Sequence, residues 1–218
     1  MAGRTLILAH GWRLECPRSE LEPLVREWLR PAVRAVPRAM ASRLRSCRVL
    51  LQDRFSNPEL SALWVLSEDR LSVELATEGV EPHDVAMECL LCLGEALWQR
   101  VRRLERDGWL ELLRREINAG VDGDIDEDAR SAKRRLLLSS ASARNPLRLK
   151  RYASISFAGT AAEYVHCLWH DVSARTEAGH LPAEWLRRRL ELFARWFPPD
   201  RGYRLFARAA KRAPDARD

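Results

Sequence analysis

The sequence predicts an α+β fold, mainly helical, in which a small antiparallel sheet with a hairpin packs on a central helix. Three observations predict it. Strand-like alternation of apolar and polar residues is confined to residues 47–77. The longest apolar stretch at helical spacing, 82–106, follows directly. Most of the chain after it, to residue 195, keeps a helical period. At 218 residues the chain fits one sizeable domain. Residues 1–206 are expected to form that domain, and 207–218 a basic, frayed tail.

Residues 3–16 admit either a short strand at Leu6–Ala9 or part of a first helix, and Pro17 stops both. Ser19, with Glu22 three residues on, predicts a capping box and a helix to about Arg30. Leu21, Leu24, Val25, Trp28 and Leu29 share its apolar face, and Pro31 ends or restarts it. A second helix spans 37–45, and Arg48–Gln52 reads as a strand. Leu60–Ser67 and the alternating Arg70–Thr77 form a hairpin around Glu68-Asp69, after a turn at Asn57-Pro58. Beyond Gly79 and Pro82, the helix over 82–106 is apolar round most of its circumference, as a central helix is. Trp109–Asn118 is a short helix ended by Gly120. Helices around 127–139, 146–153, 157–176 and 182–195 follow, the last closed by Pro198-Pro199. Those at 157–176 and 182–195 are expected to cover the central helix.

An apolar fraction of 46% with 31% charged residues excludes disordered, collagenous and mucin-like classes. The formal charge is +6, carried almost wholly by arginine, since lysine occurs only at Lys133, Lys150 and Lys211. That skew fits a GC-rich bacterial coding sequence. No apolar run approaches the roughly 18 residues of a membrane span, so no membrane partner is expected. Leu6–Ala9 is too short for a secretory signal. The cysteines number five and lie in apolar segments, which argues for a reducing cytoplasm rather than a disulfide scaffold.

Within the central helix, Leu90-Leu91-Cys92-Leu93-Gly94-Glu95-Ala96-Leu97 resembles the active helix of the zincin metallopeptidases. There the pattern reads L-H-E-L-G-H-A-L, with two histidines one turn apart on one zinc ion. The flanking Leu, Leu-Gly and Ala-Leu are present after a hairpin, but Leu91 replaces the first ligand, Cys92 the general base and Glu95 the second ligand. Phe157–Asp171 resembles the later zincin helix that carries an acidic ligand, with Glu163 matching it, and Leu181–Phe197 resembles a closing helix. The resemblance implies a zincin-like fold without the standard peptidase motif. It implies a non-catalytic binding or scaffold protein that uses the former cleft for a protein or peptide partner, added as a strand to the hairpin edge. No cofactor is required for that role. The plain alternative is an ordinary buried helix whose Glu95 finds an arginine.

Two other functions are open to this sequence. One is a metal-dependent hydrolase with a remodelled site of Glu95, Glu163, His166 and His170, holding zinc or another divalent ion; Glu163, His166 and His170 fall on one helical stripe. Cys89 and Cys92 with the same two histidines are a further ligand set, though an apolar run is unusual for structural zinc cysteines. The other is a basic nucleic-acid-associated protein, drawing on Arg100, Arg102, Arg103 and Arg106, on Arg144, Arg148, Lys150 and Arg151, on Arg187-Arg188-Arg189, and on the stretch from Arg201 to Arg212. Acidic residues interleave with these, so solvated helix faces explain them equally. Asp122–Asp128 looks like a calcium loop, but its sixth and twelfth positions hold Glu127 and Lys133 rather than Gly and Glu. A solvated acidic loop entering a helix N-terminus is the simpler expectation.

Overall fold

Alternation in the strands sorts side chains onto two faces, and helices cover one of them. In the computed structural model, which describes residues 4–138, 146–170 and 180–206, five strands form one open sheet in the order β1-β2-β3-β5-β4. These are β1 (Arg4–Ile7), β2 (Arg13–Cys16), β3 (Ser46–Gln52), β4 (Ala62–Leu66) and β5 (Arg70–Ala76). Cys47, Val49 and Leu51 of β3 and Leu71, Val73 and Leu75 of β5 are buried, whereas Arg48 and Leu63 look outward. Helices gathered on one side of a sheet are a stable two-layer solution.

The sheet is mixed rather than purely antiparallel. The hairpin β4–β5 is antiparallel, as expected, with Trp64 opposite Val73. β2, β3 and β5 run parallel, because residues 19–44 form a helical crossover between β2 and β3. The ambiguous segment 3–16 resolves as a second antiparallel hairpin, β1–β2, turned by His10 and Gly11 at positive φ.

The crossover departs from its expected form. α1 (Glu22–Leu24) runs through a widened π-turn, Val25–Leu29, into α2 (Arg30–Ala35). The Ser19 side chain caps nothing, and Pro31 follows the π-turn inside a continuous helix, where it removes one backbone donor. α3 (Arg38–Leu44) then ends at Arg45, at φ 61°.

α4 (Pro82–Trp98) is the central helix, packed on β4, β5 and the later helix α7. It stops short of residue 106. The Arg102 N–H donates to Glu105 at 2.7 Å and starts α5 (Arg103–Asn118), while Arg100 reaches the carbonyls of Ser67 and Glu68. α6 (Glu127–Leu137) is capped by Asp126, which accepts from Ala129 N–H at 2.7 Å. The segments expected as 146–153 and 157–176 are one helix, α7 (Pro146–Trp169). Ser154 and Ser156 donate back to carbonyls of their own helix and leave no break. α8 (Ala183–Trp196) buries Leu186, Leu190 and Phe193. The tail 207–218, the expected helix end at 176 and Arg144 lie outside the described residues.

Gly94 fixes how closely the two central helices approach. A Cβ there would stand 2.6 Å from the Ala158 carbonyl oxygen, so only glycine allows α4 and α7 to touch. Gly94 thus has a packing role in this chain.

Candidate functional site

Spacing on α4 decides which of its motif positions can meet a ligand. Cys92 is 4% exposed and turns into the core, whereas Leu91 is half-buried and Glu95, one turn on, is exposed. Glu95 accepts a hydrogen bond from the Trp64 indole of β4, not from an arginine. Between α4 and the edge strand lies a groove of about 620 Å³. Its walls are Leu60–Trp64 on one side, Glu88, Leu91, Cys92 and Glu95 on the other, and Asp126–Asp128 with Ile155 and Ala158 at the end. β4 has no strand on its outer side among the described residues.

The groove is acidic and locally uncompensated. Glu127 pairs with Arg130 at 2.7 Å, but among the described residues Glu88, Glu95, Asp126 and Asp128 form no ion pair. Burial raises the Glu88 carboxyl above its ordinary value, partly offset by a hydrogen bond from Ser61, and Glu95, Asp84 and Asp128 push it further up. Asp126 is raised in the same way, by burial first and by Asp124 and Asp128 in addition, against the Ala129 N–H.

The remaining candidate residues separate into two places. His83 at the start of α4 meets His166 of α7, and Gly94 meets Ala158, so the helices run antiparallel. Glu163 therefore stands level with the first half of α4. It accepts from His166 at 3.4 Å and from the Cys167 thiol at 3.5 Å, while Glu95 is occupied with Trp64. Glu163 and His166 come together and His170 lies beside them, but Glu95 does not join them. Burial pushes the Cys89 and Cys92 thiols up, so neither is a ready thiolate. Among the described residues no three histidine, cysteine or acidic side chains converge as a metal site.

The structure takes one residue of the acidic loop and one of the arginine clusters into the core. Asp124 is fully buried, not solvated, and so is Arg189. Arg189 donates to Glu116 at 2.8 and 2.6 Å, to Asp124 at 2.8 and 3.2 Å, and to Tyr152 Oη at 3.0 Å. Burial alone would raise the Asp124 carboxyl, but the Arg189 charge and the hydrogen bonds from Arg189, Tyr152 and Ile125 N–H hold it below its usual value. A signal was present: Arg189 falls in the apolar stripe Leu186, Leu190, Phe193 of α8, where a charge needs a buried partner. Arg103, Arg187 and Arg188 pair with acids on their own helices, and Arg106 lies over Trp98.

A basic cavity of about 680 Å³ lies elsewhere, lined by Arg34, Arg38, Arg45 and Arg201 against one carboxylate, Asp200. No helix among the described residues is long and apolar enough to cross a membrane. No family model matches the chain, and neither a curated protein nor a solved structure does.

Proposed function

We propose that this chain is a zincin-like, non-catalytic binding protein whose groove between β4 and α4 takes an extended peptide carrying basic side chains. One observation carries the reading: the edge strand β4, antiparallel to β5, borders the helix positions that hold Leu91, Cys92 and Glu95, and the space between them is rimmed by carboxylates of which only Glu127 forms an ion pair among the described residues. Main-chain groups on the outer side of β4 supply strand addition, and Glu88, Glu95 and Asp128 supply charge complementarity. Leu91 can ligate no metal and the buried Cys92 thiol is no general base, which favours binding over peptide hydrolysis. The cysteines are unpaired, in keeping with a reducing compartment such as the cytoplasm.

The test is fluorescence polarisation with a panel of extended peptides of graded basic content. Affinity is expected to rise with Arg and Lys content and fall with salt. It should drop by about tenfold or more in a Glu88→Lys, Glu95→Lys double variant, roughly 1.4 kcal/mol or more. Equal affinity for acidic and basic peptides, or zinc-dependent cleavage of them, would overturn the reading.

A second reading, a partner rich in phosphate such as a nucleic acid, rests on the cavity around Arg34, Arg38, Arg45 and Arg201. Retention on DNA that does not weaken with salt, or that survives Arg34→Glu with Arg201→Glu, would dismiss it.

A further inference from the structure

Two histidines held from behind by carboxylates face each other across the start of α4 and the end of α7. His83 Nδ1 lies 3.3 Å from Asp84 Oδ1, and His166 Nδ1 lies 3.4 Å from Glu163 Oε2. An ionised carboxylate only accepts, so each contact keeps the ring proton on Nδ1. Both Nε2 atoms then present lone pairs, and they stand 3.4 Å apart. Lone pairs so placed repel unless a positive centre lies between them.

The separation is within reach of a long shared-proton contact and also matches a metal bridge. A tetrahedral ion with nitrogen ligands at about 2.0–2.1 Å sets neighbouring ligands about 3.3–3.4 Å apart. We propose that His83 and His166 clamp a divalent ion of the zinc class between their Nε2 atoms. The carboxylate–imidazole–metal arrangement is the usual way a ligand ring is oriented and its tautomer fixed. Imidazole pairs suit zinc, copper and nickel rather than magnesium or calcium.

The surroundings fit such an ion. Trp28 meets the His83 ring edge-on at 5.6 Å and Trp169 stacks on it at 6.4 Å, which restricts the ring. The side chains of His83 and His166 are 39% and 14% exposed, so an ion and its waters can enter from solvent. His170, one turn beyond His166, keeps its Nε2 buried with no hydrogen-bond partner among the described residues, and its ring is 5.4 Å from that of His166. No third side chain among the described residues converges on the pair, so water completes the coordination. The clamp uses Glu163 and His166 but replaces Glu95 with His83. It is independent of peptide binding in the groove.

The experiment is a calorimetric titration of the untagged, chelator-stripped full chain with zinc ion alone, paired with long-range ¹⁵N spectra of the imidazoles. One equivalent should bind, and the Nε2 signals of His83 and His166 should move. His83→Ala and His166→Ala should each weaken binding at least about tenfold, and Glu163→Ala, which removes a positioning group, by about tenfold. His180→Gln should bind as the unmodified chain does. Absence of saturable binding, or undiminished affinity in a folded His83→Ala variant, would overturn the clamp. Should His166→Ala fail to fold, the imidazole spectra of the unmodified chain decide, and unmoved Nε2 signals would show a proton-sharing pair instead.

Discussion

One acidic loop, residues 122–128, feeds two regions with opposite electrostatics. Asp124 turns inward, is fully buried, and meets Arg189, Tyr152 and a backbone N–H. Asp126 and Asp128, two and four residues on, line the groove with Glu88 and Glu95 and form no ion pair among the described residues. The buried carboxyl is held below its ordinary value and the groove carboxyls Glu88 and Asp126 are held above theirs. Charge that is satisfied inside the fold serves stability. Carboxylates at the groove that have hydrogen bonds but no counter-charge cost stability and remain available to a basic partner.

The largest way to break this comparison is Arg189→Met. It leaves Glu116 and Asp124 buried without their ion-pair partner, with only the more distant Lys133 charge near them, and the loss should be about 3–5 kcal/mol by chemical denaturation. A loss under about 1 kcal/mol would mean that the buried network is no stronger than a surface pair. Next comes Gly94→Ala, whose methyl meets the Ala158 carbonyl oxygen at 2.6 Å. Overpacking of this kind costs about 1–3 kcal/mol. The variant should also weaken peptide binding, because it shifts the helix that forms one wall of the groove; unchanged stability would show that α4 and α7 lie further apart.

Acidity separates the two regions within one experiment. Asp124 has a folded value below its unfolded 3.8, so its stabilisation is complete above that pH and is lost as pH falls through the folded value. Glu88 has a folded value above its unfolded 4.5, so protonation in mild acid relieves a cost and adds stability. The melting temperature should therefore hold or rise slightly as pH falls towards about 4.5, then drop steeply below about 4. A Glu88→Gln variant should lose the rise and keep the drop. A drop that begins near neutrality would contradict both assignments.

The hairpin β4–β5 and the body of α4 were legible in the sequence because each is specified locally, by alternation over Arg70–Ala76 and by apolar spacing after Pro82. The break at 99–102 was not, since Val101 continues the apolar pattern and the stop is made by Arg100 reaching back to Ser67 and Glu68. β1 and β2 are four residues each, too short for a period to show. The partnership of Arg189 with Asp124 spans 65 residues, beyond any local signal, although the arginine's place in an apolar stripe pointed to it. Spacing alone places Leu91, Cys92 and Glu95 on the helix that walls the groove. It says nothing of their company: helix direction, invisible in spacing, takes His166 to His83 and leaves Glu163 with His166 rather than with Glu95.

The measurement closest to the central claim is amide hydrogen exchange of the full chain with and without a saturating basic peptide. The account predicts slower exchange along β4, Ala62–Leu66, with little change in β1 at the opposite edge of the sheet. Protection that appears around Arg34, Arg38 and Arg201 while β4 exchanges as before would contradict it.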